Sequence, residues 1–117
     1  LLMWLSHLYL IDHGAALYFH HAGQDWREAS QRPFAQAKDH VLLFRASRLA
    51  EADADLRPRL TPDVLEALVA LVPDAWLTTP AETAAEQRAV YLNFLQARLA
   101  ASEVFVNAAQ DARTARV

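Results

Sequence analysis

The tripeptide Thr61-Pro62-Asp63 constrains the fold most strongly, because it is a start signal for an α-helix. A threonine hydroxyl can cap the first turn, proline is tolerated at the first helical position, and an acidic side chain suits the positive end of the helix dipole. Apolar residues follow at helical spacing until Pro73, which does not continue a helix easily. We therefore predict a helix starting at Pro62 that buries Val64, Leu65, Leu68, Leu71 and Val72.

The rest of the second half predicts three more helical segments. Residues 73–77 form a short helical turn that places Trp76 inward, residues 78–80 (Thr-Thr-Pro) cap a helix over residues 82–100, and Ser102 starts a last helix. Alanine is abundant here; it raises helix propensity but buries little area, so the helices must pack closely. The inward residues are Tyr91, Leu92, Leu95 and Leu99 on the long helix and Val104, Phe105, Ala108 and Ala112 on the last.

The first 34 residues predict a hairpin followed by a loop. Residues 1–12 hold two short apolar runs around Ser6-His7, which indicates a β-hairpin. A hairpin is marginal in water by itself, so it needs a sheet, helices or a partner to cover it. Residues 15–34 have no sustained periodicity and predict a long ordered loop. Its aromatic residues form either core under the loop or the lining of a ligand groove: Tyr18, Phe19, Trp26 and Phe34.

Helical periodicity returns after this loop. Residues 35–48 predict a helix with Val41, Leu42 and Phe44 inward, and residues 50–56 predict a short helix stopped by Pro58. The sequence thus predicts a mainly α fold with an N-terminal β-hairpin, arranged as one partial domain over residues 1–117. Its first residue is Leu1, and a core strand at that position leads us to expect that the chain continues a longer sequence.

Charge and composition exclude several function classes. The formal net charge is −3 and there is no basic stripe, which argues against binding nucleic acid through phosphate neutralisation. Asp12 and His13 interrupt the longest apolar run, so no membrane-spanning helix is expected. The sequence has no cysteine, which excludes disulfides and thiolate metal sites and fits a reducing compartment. We expect a cytoplasmic location.

Asp12-His13-Gly14, at the end of the apolar run, is the most chemically suggestive motif. A strand-end carboxylate followed by a glycine suits a Mg²⁺ ligand beside phosphates, although Asp-x-Gly also occurs as an ordinary turn. The five histidines lack the spacing that brings two imidazoles to one zinc ion. Ser6, His7 and Asp12 lack the glycine-flanked serine and the oxyanion loop of a serine hydrolase.

Residues 8–21, which read LYLIDHGAALYFHH, resemble the metal-loop segment of actinobacterial HipA-like kinases. The match continues in residues 33–34, 38–43, 51–54 and 58–60, and so covers most of the chain. The resemblance implies that residues 1–14 are the hairpin and metal loop, and that residues 35–117 are part of the helical C-lobe of a kinase-like fold.

By the same resemblance, Asp12 takes the place of the acid in the Asp-Phe-Gly triplet and binds Mg²⁺ and ATP, while Gly14 lets the loop turn. His13 stands in the place of the usual phenylalanine. The partners implied are ATP and a phosphoryl acceptor. The strand lysine, the phosphate loop and the catalytic loop are absent from this sequence, so we expect no catalytic residue within the chain and no kinase activity from the chain alone.

Two other functions remain open from the residues. The amphipathic, alanine-rich helices would suit a non-catalytic interaction module that packs on a partner. A small metal-dependent hydrolase would use Asp12 together with His20 or His21.

Overall fold

The computed structural model describes residues 2–11, 13, 16–23 and 25–115. Most of these residues lie in helices, so the mainly helical class is confirmed. The first elements are two short strands, β1 (Leu2–Trp4) and β2 (His7–Tyr9), which pair antiparallel with Leu2 opposite Tyr9 and Trp4 opposite His7. We call residues 2–11 the ribbon.

The turn of the ribbon has an unusual backbone for its sequence. Leu5 has a φ of 47° and Ser6 a φ of 63°, both in the left-handed region. A two-residue turn with positive φ at both positions matches the twist of paired strands, but it is normally built from asparagine and glycine. A left-handed leucine costs about 1–2 kcal/mol, so the turn adds strain to an already short pair of strands.

The prediction of a long loop over residues 15–34 is wrong. Two five-residue helices lie there, α1 (Tyr18–Ala22) and α2 (Trp26–Ser30). Gly23, at a φ of 60°, ends α1 in the left-handed conformation that glycine adopts easily. The Asp25 carboxylate then caps α2 by accepting the Arg27 N–H. Helices this short show no repeating apolar period, which is why the pattern resembled a loop.

The predicted helix over residues 35–48 is also wrong. The chain forms two separate 3₁₀ segments instead, Ala35–Asp39 and Leu43–Arg45. Leu43 is buried, whereas Val41 and Phe44, both predicted to point inward, are exposed. The short helix that follows, α3 (Leu49–Leu56), is confirmed, and a 3₁₀ turn (Arg57–Arg59) containing Pro58 comes after it.

Residues 62–115 contain the four helical segments predicted for the second half. They are α4 (Pro62–Ala70), α5 (Asp74–Leu77), α6 (Ala84–Ala100) and α7 (Ser102–Thr114). Thr61 caps α4 as predicted, since its hydroxyl accepts the Val64 N–H. Residues 78–80 do not cap α6. Thr83 does so through a capping box with Glu86, while the Thr79 hydroxyl accepts the N–H groups of Ala81 and Glu82 in the preceding turn.

The main buried cluster joins α1, α4, α5 and α6 through four side chains: Phe19, Val69, Leu77 and Tyr91. The burial of side chains on two helices differs from the prediction. On α4 the buried residues are Leu65 and Val69, and Val64, Leu68 and Leu71 are exposed. On α5, Leu77 is 4% exposed and Trp76, predicted to point inward, is 78% exposed.

Arginines of α6 fix this helix against its neighbours. Arg98 Nη1 donates to the carbonyl oxygens of Ser30, at 3.1 Å, and of Arg32, and the guanidinium lies over the Phe105 ring. Arg88 donates to the Val72 carbonyl and pairs with Asp74. The Arg98 contacts fix α6 against the end of α2, and the Arg88 contacts fix it against the α4–α5 junction. Among the described residues, no helix combines the length and apolar composition needed to cross a membrane.

Candidate functional site

The predicted metal loop is only partly described. Asp12 and Gly14 lie outside the described residues. His13 is exposed, and its Nε2 lies 3.2 Å from the Leu10 carbonyl oxygen. Because a carbonyl only accepts, Nε2 carries the hydrogen in this contact. The imidazole is therefore hydrogen-bonded back to the end of the ribbon.

The histidines named in the sequence lie on separate elements. His7 is in β2, and the His40 Nδ1 accepts the Leu42 N–H at 3.2 Å. His20 lies in α1 beside Tyr91, and the side chain of His21 is outside the described part. Within residues 2–11, 13, 16–23 and 25–115, no three histidine, aspartate or glutamate side chains are grouped as metal ligands.

An apolar groove of about 520 Å³ lies between α1, α4, α5 and α6 and extends to His13. The hydrophobic side chains of α4 and α5 form much of its wall. None of the described residues that line it is an aspartate, glutamate, lysine or arginine. They are His13, Ala16, Leu17, His20, Leu68, Val69, Val72, Trp76, Leu77, Tyr91 and Leu95.

A hydrogen-bonded histidine–tyrosine pair supplies the polar part of the groove. The Tyr91 hydroxyl oxygen lies 2.8 Å from His20 Nδ1, and Tyr91 itself is buried. Burial raises the pKa of Tyr91, and the negative charge of Glu82 raises it further. The phenol therefore keeps its proton at neutral pH, and its oxygen can still accept a further hydrogen bond.

Sequence reasoning missed this pair. Tyr91 was predicted as one member of the apolar stripe of α6, and His20 as part of a loop, 71 positions away. The one available signal was a tyrosine in a stripe otherwise made of leucine, since a buried tyrosine hydroxyl usually finds a partner. Of the predicted aromatic cluster, Phe19 is core beside Phe94 and Tyr91, and Tyr18 stacks on Phe34.

Comparison with known proteins gives no relative. No protein-family model, no curated protein and no solved structure matches this chain. A functional proposal therefore depends on the residues of this chain and on the resemblance carried by residues 8–21.

Proposed function

We propose that the chain is the C-terminal, helical part of a HipA-like ATP-dependent kinase, in which Asp12 is a ligand of Mg²⁺-ATP, and that it is inactive alone. The proposal is supported by residues 8–21 and by the order of the elements, in which two paired strands precede Asp12 and a helical body follows. The observation that carries it is the exposed apolar surface of the ribbon.

The ribbon exposes large apolar side chains on both faces. The exposed fraction is 62% for Trp4, 56% for Leu8 and 70% for Leu10. A pair of three-residue strands is marginal in water, and clustered apolar side chains of this size favour burial against other protein. In the proposed kinase, an upstream part of the protein would cover them, and the strand lysine and catalytic loop would lie in that upstream part.

The role of Asp12 in this proposal follows from the chemistry of the metal. Mg²⁺ prefers oxygen ligands and keeps several from water and phosphate, so one or two protein carboxylates suffice. Asp12 is the carboxylate that the chain is proposed to give. When bound, Mg²⁺-ATP supplies the phosphoryl group, and Gly14 leaves space for the loop to turn after Asp12.

The coding sequence immediately upstream of Leu1 gives the first test. The proposal expects an open frame in register with Leu1 that encodes an Asp-x-x-x-x-Asn stretch, because kinases of this kind need both groups to orient the acceptor and hold metal. A stop codon or a genuine start codon directly before Leu1 would contradict it and favour the interaction module, for which the exposed apolar ribbon would be a contact surface.

Replacement of Asp12 by asparagine in the longer protein gives the second test. Asp12→Asn keeps the shape but removes the charge that holds the cation, so we expect ATP-dependent phosphorylation to fall by about 100-fold or more with an unchanged melting temperature. Asp25→Asn is the matched control, because asparagine caps α2 as well as aspartate does. Near-normal phosphorylation with a stability loss of about 1 kcal/mol would identify Asp12 as a turn carboxylate instead.

A metal-dependent hydrolase gains no support from the described residues. His20, one of its two candidate histidines, lies in contact with the Tyr91 hydroxyl through Nδ1. This hydrogen bond ties His20 to the groove between the helices.

A further inference from the structure

The groove between α1, α4, α5 and α6 has the size and lining of a small-molecule site. Its volume of about 520 Å³ lies within the usual range for ligand pockets, roughly 300–1,000 Å³. Such pockets are mostly apolar, with a few polar groups that fix the orientation of the ligand. Here the apolar wall comes from α4, α5 and α6, and the polar groups are the hydrogen-bonded His20 and Tyr91.

The exposure of the lining residues distinguishes this groove from ordinary core. Val69, Leu77 and Tyr91 are buried at its floor, whereas Leu68 is 50% and Trp76 78% exposed at its rim. An aromatic ring at an open rim can close over a bound apolar molecule, and it would lose its own contact with water in doing so. The groove therefore offers both a packed floor and a wall that is still open to a ligand.

The charges around the groove restrict the class of ligand. Among the described lining residues there is no lysine or arginine, so a buried anion would find no permanent counter-charge from them. The carboxylate of Glu82 lies close enough to act electrostatically on Tyr91, which disfavours an anion further. The described lining residues likewise include no acidic partner for a buried ammonium group. An uncharged ligand avoids both penalties.

We propose that this groove binds a small uncharged molecule with an aromatic or branched apolar body and one hydroxyl or N–H group, which donates a hydrogen bond to the Tyr91 phenol oxygen. The apolar body lies on Val69, Val72 and Leu95, and Trp76 covers it. The proposal does not rest on the ATP chemistry proposed for Asp12, so its test does not need kinase activity.

Three related probes test the proposal on the full 117-residue chain: 2-naphthol, 2-methylnaphthalene and 2-naphthoate. Their ring systems are alike, but only 2-naphthol is an uncharged hydrogen-bond donor at neutral pH. We expect 2-naphthol to bind most tightly and 2-naphthoate most weakly. The indole N–H signals of the three tryptophans report the location by NMR, since Trp76 lines the groove and Trp4 lies on the ribbon. Ligand should shift the Trp76 signal and leave the Trp4 signal in place.

Two variants complete the test. Tyr91→Phe keeps the ring and removes the hydroxyl, so it should weaken 2-naphthol binding by about fivefold and leave 2-methylnaphthalene unaffected. Leu68→Trp enlarges a half-exposed side chain at the rim and should weaken both probes by about tenfold. If Tyr91→Phe does not fold, Leu68→Trp decides alone. Unchanged binding to Leu68→Trp, equal binding of 2-naphthol to Tyr91→Phe, or a shift of Trp4 alone would each overturn the proposal.

Discussion

Replacement of Leu77 by alanine should destabilise the protein far more than replacement of its neighbour Trp76. Leu77 is 4% exposed and belongs to the buried cluster with Phe19, Val69 and Tyr91, whereas Trp76 is 78% exposed on the same short helix. At roughly 0.8 kcal/mol per carbon, loss of the Leu77 isopropyl group removes about 2.4 kcal/mol, and the cavity left among aromatic rings raises the total to about 3 kcal/mol.

Urea unfolding followed by circular dichroism would measure the difference in unfolding free energy between the two variants. In a thermal melt of a chain of this size, a loss of about 3 kcal/mol corresponds to a fall in melting temperature of about 12 °C. Trp76→Ala is the matched control on α5, and its effect should stay within about 0.5 kcal/mol. Equal losses in the two variants, or a larger loss for Trp76→Ala, would show that α5 is rotated and that the tryptophan is the buried residue, as the sequence pattern suggested.

Two further predictions concern α6. Thr83→Ala should cost about 1 kcal/mol at neutral pH, because it removes the N-cap hydroxyl. Hydrogen bonds from Thr83 hold the pKa of Glu86 below its ordinary value of 4.5. The stabilisation from these bonds is therefore present above pH 4.5 and is lost as the pH falls through the folded-state pKa. The variant should lose less stability than the parent chain between pH 6 and about pH 3, and an identical pH profile would contradict this. Arg98→Met should cost about 2 kcal/mol, since it removes two bonds to main-chain carbonyls near the end of α2. Arg48→Met, which breaks an exposed ion pair, should change the unfolding free energy by about 0.5 kcal/mol or less, and comparable losses would refute the role of Arg98.

The strongest sequence signal was that of α4, which combines a capping residue with a sustained apolar period, and Thr61 caps this helix as predicted. The helices α3, α5 and α7 were predicted as well, although no side-chain hydrogen bond caps them. The errors lie within residues 15–48, where the elements are short. α1 and α2 are five residues each, too short for a period, and the 3₁₀ turns over residues 35–45 satisfy their N–H groups locally, as when Ala37 donates to Phe34.

The buried face of each helix was harder to predict than its existence. On α4 the apolar residues surround most of the helix, so periodicity alone does not decide which of them meets a neighbour. Val69 is buried in one cluster with Tyr91 of α6, and Arg88 joins α6 to the Val72 carbonyl just after α4. Which face of α4 is buried depends on a contact between residues far apart in the sequence, and no local pattern encodes it. The candidate site could not be predicted for the same reason, since His20 and Tyr91 meet only when α1 and α6 pack together.

The two proposals depend on different surfaces, and their outcomes are therefore separable. The kinase proposal depends on the ribbon and on Asp12, which follows it, whereas the ligand proposal depends on Tyr91 and on the rim residues Leu68 and Trp76. Covering the ribbon with further strands would stabilise residues 2–11 without filling the groove, because β1 and β2 contribute no lining residue. The kinase assay on the longer protein and the 2-naphthol titration of the 117-residue chain therefore test the two proposals independently.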